Sequence, residues 1–517
     1  MIRVGPPTLG LSDFPEHSKP EHSAIATNVE YRYGGASTRR GSVRKVSLLY
    51  RDSVNNASGA HVKLVKSFRT TFETELVAIG LVPSSGTEIG EGRLLVAGFS
   101  NGSLVGVPAG SLQLAAAGAS GAGNPSSSSR WDACMFQQMH KTHADLIVCS
   151  DNPGVNRTFI VTFEPLLSSS VMTGVNRSLT PYHGGVVPGS AYPDDYGDYM
   201  TPAIGARYCR ALGSRLFLAN LDLNVKGGPQ NLKSAVMYSN LADALGLPID
   251  NIHVPMSGDN GSVTGLGNWG QYIAVFREAS VSLMNVQGEG AGLKPWYQQI
   301  VHGTGCVAHA TIVDNVKGML CFLAADNFYG FKGDGDPVKL SGPIERTLQE
   351  AIRPNTVGGC WATHYPIASQ VLLGVPSGST GPDRVFVLDY SNGGLAWSEF
   401  EFQAAAWADG GQRTRWGGMA AAVDGTRLFG VSKRPSNVID YDQLDVGDAI
   451  DQQTETPIGF RSRWESGPIQ YGQANVMDWR FIRPTIRPQG DVNATIWWRK
   501  DGLAFEAGSK NGQSVTA

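Results

Sequence analysis

The residue patterns that support chemistry are few and incomplete. His140-Lys-Thr-His143 places two imidazoles three residues apart just ahead of a strand-like run, but a metal centre needs a third ligand and none stands nearby. They are read as exposed loop histidines. Tyr192-Pro-Asp-Asp-Tyr-Gly-Asp-Tyr199 and Gly333-Asp-Gly-Asp336 gather carboxylates, as a cation site or a sugar hydrolase requires. Neither has the twelve-residue spacing of an EF-hand. Asp334 and Asp336 follow a strand directly, where Asp and Gly are good turn formers. Gly288-Glu-Gly-Ala-Gly292 lacks the strand-to-helix setting that phosphate binding needs, and no Walker A, His-Glu-x-x-His or convincing Gly-x-Ser-x-Gly elbow occurs. No catalytic residue, metal ligand or cofactor site is assigned.

A second group of residues suits contact rather than catalysis. Arg461, Arg463, Trp464, Trp479, Arg483, Trp497 and Trp498 interleave bases with large aromatics near the C-terminal end. That mixture fits single-stranded nucleic acid, where bases stack on rings, and fits protein interfaces, where Trp and Arg are preferred anchors. With no RNA-binding signature around it, the interface is favoured. Arg39 and Arg40 near the start, and Tyr192, Tyr196 and Tyr199 in a loop rich in Pro, Gly and Asp, complete the candidate subunit or partner interface.

These residues must be carried by short strands. Apolar runs recur through the chain: Arg93-Leu-Leu-Val-Ala-Gly98, Asp145-Leu-Ile-Val-Cys149, Arg215-Leu-Phe-Leu-Ala219, Tyr272-Ile-Ala-Val-Phe276, Met319-Leu-Cys-Phe-Leu323, Val371-Leu-Leu-Gly-Val375 and Arg427-Leu-Phe-Gly-Val431. Each is followed by a partner strand, from Ser103-Leu-Val-Gly-Val107 to Asn437-Val-Ile-Asp-Tyr441, across turns such as Ser100-Asn101-Gly102 and Ala325-Asp326-Asn327. Hairpins spaced this way fit four-stranded propeller blades, with a sandwich array or solenoid as the alternative. The first strand of each pair is nearly all apolar, as an inner strand buried on both faces is. The expected fold is an all-β propeller of five to seven blades with an additional C-terminal β module. Short helices are expected at 240–245, with Asn240 as N-cap, and at 343–352. Residues 111–129 and 181–202 read as surface loops.

Composition agrees. The 517 residues include 64 Gly and 28 Pro, only 17% are charged, and 41% are hydrophobic, enough to bury a core. The net charge of -3 excludes a bulk nucleic-acid binder, yet residues 1–70 hold eleven Lys or Arg against five acids, and 460–500 hold seven against three. Basic ends on an acidic middle suggest surfaces meeting different partners. Six cysteines without a C-x-x-C pair are read as reduced thiols from cytosolic assembly, five of them in or near apolar strand-like runs where Cys behaves as a small buried hydrophobe. No apolar run reaches the length of a membrane span, and the N-terminus lacks a signal-peptide hydrophobic region.

The order of several motifs resembles the tail nozzle, or tail hub, proteins of short-tailed bacteriophages. The opening, Ala26-Thr-Asn-Val29 with Gly34-Gly35 and Thr38-Arg-Arg-Gly41, is similar to the segment ahead of their propeller. Gly213-Ser-Arg-Leu-Phe-Leu-Ala219 with Val236-Met-Tyr-Ser-Asn240, then Val263-Thr-Gly-Leu266, Ser280-Val-Ser-Leu283, Gly303-Thr-Gly-Cys306, and Val387-Leu-Asp-Tyr390 with Trp397-Ser398, follow in sequence. The resemblance implies a non-enzymatic virion protein: a homohexameric ring below the portal and adaptor proteins, enclosing the DNA exit channel and supporting tail fibre, spike or needle attachment and genome ejection. Double-stranded DNA would pass through without specific binding. Localisation would be the virion tail, after assembly in the host cytoplasm. The expected organisation is a basic, partly extended segment over 1–70 that contacts neighbouring subunits, the propeller over 71–455, and a Trp/Arg-rich β module over 456–517. The alternative is a propeller glycosidase or lyase acting on bacterial surface polysaccharide.

Overall fold

The computed structural model describes most of residues 60–100, 130–163, 204–289, 294–400 and 415–446, with short strands inside 10–49, 103–114, 174–178, 450–466 and 493–516. The chain divides into two compact units, Met1–Ile469 and Gln470–Ala517.

The first unit is a closed seven-bladed β-propeller. Its innermost strands are Ala60–Arg69, Asp132–Gln137, Gly205–Leu212, Gly265–Trp269, Val313–Val316, Trp361–Tyr365 and Arg415–Ala421. Each packs on the next, and Arg415–Ala421 packs back on Ala60–Arg69, which closes the circle. Blades 1 to 6 take their strands in chain order from the axis outward. Blade 7 borrows its fourth strand: Gly41–Leu49 pairs antiparallel with Val438–Val446. The propeller therefore takes in residues ahead of position 71, because a ring of sheets needs a strand from one chain end to bind the other.

The apolar runs legible in the sequence occupy the second position in the blades, not the innermost one. In blade 2, Leu146, Ile147, Val148 and Cys149 are all buried although their side chains alternate in direction. Leu146 and Val148 pack toward blade 1, in a cluster with Leu64, Ala78 and Leu94. Ile147 and Cys149 pack toward blade 3, with Leu216 and Leu218. The same division repeats around the ring: Phe217 and Ala219 meet blade 4, Ala274 and Phe276 meet blade 5, and Cys321 and Leu323 meet blade 6. A second strand buried on both faces must be apolar at every position. In blade 1 the expected hairpin is displaced: Gly92–Ser100 is the third strand, and the second is Glu75–Pro83.

Tryptophans of the inner strands lie against glycines of the second strands. Trp361 is opposite Gly374 in blade 6, and a Cβ on that glycine would meet the indole at 2.1 Å. Trp416 covers Gly430 in the same way. The indole N–H of Trp361 donates to the Trp416 carbonyl at 3.1 Å, and that of Trp397 to the Leu340 carbonyl at 2.9 Å, so the rings also tie neighbouring blades.

Blades 6 and 7 are wider than the others. The outer edge of blade 6, Ala396–Phe400, continues through Gly10–Leu11, His22–Thr27 and Arg463–Ser466. Blade 7 continues past Gly41–Leu49 through Ile450–Gln452 and Ile458–Gly459. The sequence placed 456–517 in one module, whereas its first strands complete propeller sheets. In the second unit, Asn493–Trp497 pairs antiparallel with Gly512–Thr516.

Helix is scarce. The expected helix at 343–352 is present as a 3-10 turn, Gly342–Ile344, running into Glu345–Ala351. That at 240–245 is absent: Asn240 bridges to Asp243, and Ala242 adopts a left-handed φ of 61° incompatible with a helix. Part of the expected 111–129 loop, Leu112–Leu114, is the fourth strand of blade 1.

Candidate functional site at the propeller axis

Four buried charged residues, Lys63, Arg130, Asp132 and Arg210, lie on the innermost strands or on the segments leading into them. Asp132 opens the inner strand of blade 2 and is 4% exposed; Arg210, on the inner strand of blade 3, is 7% exposed. Arg210 Nη1 donates to both Asp132 oxygens, at 2.7 and 2.8 Å. Asp132 Oδ1 also accepts the Ala133 N–H at 3.0 Å and sits 3.5 Å from Lys66 Nζ of blade 1, while Oδ2 accepts the Cys209 N–H at 3.1 Å. Burial works against the Asp132 carboxylate, but Arg210, Lys66 and His309 outweigh it and hold it well below the usual carboxylate range. Burial likewise opposes the Arg210 cation, and Asp132 and Asp314 reverse the direction and raise it.

Across the axis, Asp314 on the inner strand of blade 5 accepts the Asn268 N–H of blade 4 at 3.0 Å. Burial raises its carboxyl, with Arg210 and that N–H only partly offsetting. Asn268 Oδ1 is buried without a hydrogen-bond partner among the described residues.

Non-neighbouring blades are joined here. His309, in the lead-in to blade 5, has Nε2 3.2 Å from the Trp131 carbonyl in the lead-in to blade 2, and its ring lies 4.8 Å from that of Tyr208 in blade 3. Arg130 Nε donates to the Gly359 carbonyl, ahead of blade 6, at 3.2 Å. In a ring of seven, bonds from blade 2 to blades 5 and 6 cross the axis. Burial pushes His309 down to about 4 and Arg130 down to about 10.

Beside this network, Cys134, Cys149 and Cys209 form a buried thiol group between blades 2 and 3. Burial, with Cys209 close by, holds Cys134 and Cys149 up as thiols, and Cys209 Sγ donates to the Ile147 carbonyl at 3.6 Å. All six cysteines are free and buried, one more than the five that the sequence places in or near apolar runs.

Chemically, the axis contains one carboxyl held low and another pushed up, the contrast that separates a base from an acid in many hydrolases. Asp132, however, already accepts from two cations and two backbone amides, which leaves it no lone pair aimed at a substrate. The arrangement acts as a cross-brace. Local sequence motifs miss it because its members are spread from Lys66 to Asp314. The available signal was a charge inside an apolar run, as in Tyr208-Cys-Arg-Ala-Leu212, where burial demands a partner.

Arg39, Arg40, Tyr192, Tyr196, Tyr199, Arg461, Trp479, Arg483 and Trp498 lie outside the described residues, as do His140 and His143. Arg463 and Trp464 are on the strand added to blade 6, in register with Thr27 and Ala26, and Trp497 is on the hairpin of the second unit. Gly333 and Gly335, with φ of 95° and 67°, and Asp336 lie between two strands of blade 5, Phe328–Phe331 and Val338–Lys339, as the turn reading expects, while Asp334 lies outside the described residues. No group of metal-ligating side chains occurs among the described residues, and no described helix is long and apolar enough to cross a membrane.

The fold and this axis define a class: a seven-bladed propeller closed by an N-terminal strand and braced across its centre. No protein-family profile matches the chain, and no curated protein does. Solved structures with similar folds include Sqt1 of Chaetomium thermophilum, at 12% identity over 76% of this chain and 97% of that one, TM-score 0.37. The Dos1 propeller is 9% identical over 79% and 96%, TM-score 0.36. An alpha-L-arabinanase of Penicillium chrysogenum, complexed with arabinobiose, is 9% identical over 79% and 99%, TM-score 0.32. The likeness is one of propeller architecture and extends to no activity.

Proposed function

We propose that this chain is a non-catalytic structural subunit of a virus particle, one copy of the ring-shaped nozzle in the tail of a short-tailed bacteriophage. The observation that carries the non-catalytic part is the cross-bonding of the axis: the centre where a propeller enzyme keeps its open carboxylates is bridged between blades 2, 5 and 6, and Asp132 is fully engaged. The virion part rests on the ordered motif resemblance. On this reading six copies surround the exit channel below the portal and adaptor, and fibres, spikes or a needle attach to the ring. DNA slides through the bore of the assembly, not through the propeller of one copy. The basic ends of the chain face neighbouring virion proteins, since each cation on phosphate would add affinity and hinder sliding.

Light scattering and negative-stain imaging of the purified protein test this directly. The expected particle is a six-fold ring with a central bore and no tight, salt-sensitive duplex DNA binding. The rival reading, a polysaccharide glycosidase or lyase, draws on the opposed carboxyls Asp132 and Asp314. A monomer that releases oligosaccharides from host-envelope polysaccharide, and loses that turnover in D314N, would replace our proposal.

A further inference from the structure

The N-terminal arm lies in a slot formed by two edges of the same propeller. On one side is Ala396–Phe400, the fourth strand of blade 6; on the other is Arg463–Ser466. Gly10 pairs with Trp397 and Thr27 with Glu399, both parallel, while Ser23–Thr27 runs antiparallel to Arg463–Ser466. Without the arm both edges would be left with unpaired backbone, a state that invites another strand.

The slot is chemically built. The Asp389 carboxylate, 2% exposed, accepts the Tyr31 N–H at 3.3 Å and is held by Ser391, whose N–H and hydroxyl donate to it at 2.9 and 2.6 Å. Asn392 Nδ2 donates to the Tyr31 carbonyl. At the other end, Asp13 accepts the Thr347 N–H at 3.0 Å and its own N–H donates to the Pro343 carbonyl at 2.7 Å. Ala26, Val29 and Tyr31 bury themselves against Ala396 in a small cluster separate from the cores between the blades.

Two features make this arm exchangeable. Its partners lie more than 300 positions away along the chain, so no hairpin ties it to blade 6. Its contacts are edge hydrogen bonds, a short antiparallel ladder of Val29–Glu30 with Ser37–Thr38, and one satellite cluster, so withdrawing it breaks that ladder and opens no blade core. The same slot accepts the same segment from a neighbouring copy with identical contacts, which is how strand exchange links protomers at low cost. We propose that in the assembled ring, residues 10–31 of each copy fill the blade 6 slot of an adjacent copy and link the subunits in a closed chain. This rests on the ring reading of the preceding section.

The test uses the full chain carrying D13C and T347C, with T27C and E399C as a second pair at the far end of the arm. Rings first identified by light scattering are oxidised and run on a non-reducing gel. Covalent multimers up to the size of the ring are the expected result. Rings that yield only cross-linked monomers overturn the exchange and leave the ring reading intact. Absence of any ring overturns both. A variant-free measurement guards against misfolding: native rings assembled from mixed light and heavy isotope chains are treated with a short bifunctional reagent and digested. Mixed light and heavy products joining the arm to blade 6 support the exchange, and purely same-isotope products refute it.

Discussion

Removing the Asp132 carboxylate tests the cross-brace at its centre. In D132A, Arg210 stays 7% exposed with its main counter-charge gone, and the Ala133 and Cys209 amides lose an acceptor. Taking one partner from a buried ion pair costs about 3–5 kcal/mol, because the remaining charge has neither water nor an anion. Each orphaned buried donor adds about 1–3 kcal/mol when it is not rehydrated, and the effects overlap. We therefore expect a loss of roughly 4–6 kcal/mol, read from the midpoint and slope of urea unfolding at pH 7. Replacing both partners with apolar residues, D132L with R210M, should recover most of that loss, since an apolar pair leaves no charge to solvate. The acid dependence has a fixed sign. The native carboxyl is held below its unfolded value of about 3.9, so its contribution is complete above that pH and disappears as pH falls through the native value. A cost below about 1 kcal/mol for D132A would place the pair among exposed ion pairs and refute the brace.

Three further outcomes are expected. G374A sets a methyl 2.1 Å from the Trp361 indole and should destabilise by about 1–3 kcal/mol in the same assay, with no change in oligomeric state. His309 stays neutral in the native state down to about 4 while the unfolded chain takes a proton below about 6.5. Stability should therefore be full above pH 6.5 and fall by up to about 3 kcal/mol on going to pH 4, a slope that H309Q should lose. Burial pushes Cys306, Cys321 and Cys360 up to about 12, and the remaining three thiols are equally enclosed. A thiol reagent at pH 8 should find almost nothing in the native protein and six groups in guanidinium.

The parts of the fold that sequence makes legible are those with a uniform environment. Second strands such as Leu216–Ala219 and Leu320–Leu323 are buried on both faces, so their composition alone marks them. Inner strands face the axis with one side and carry Asp132, Arg210, Asn268 or Asp314 among glycines and aromatics, which breaks any simple period. The closing strand Gly41–Leu49 is invisible for another reason. Its sequence, Gly41-Ser-Val-Arg-Lys-Val-Ser-Leu-Leu49, reads as a strand, but nothing local states that its partner is Val438–Val446. The brace was missed on the same ground, because pairs such as His309 with Trp131 exist only once the ring is closed. Conversely, the Trp and Arg set was chosen by composition, and composition did not separate strands that complete blade 6 from those of the second unit.

The pairing of Gly41–Leu49 with Val438–Val446 also imposes a timetable. About 390 residues must be synthesised after the first of these strands before the second exists, which takes roughly 20–80 s at ribosomal rates of about 5–20 residues per second. For that time the growing polypeptide carries an early strand whose final neighbour has not been made. Blades 1 to 6 can stack as they emerge, but the circle is sealed only near the end of translation. Until then the nascent chain is exposed to misassociation, and a truncation shortly before residue 438 would leave nearly all of the blades made and the ring unsealed.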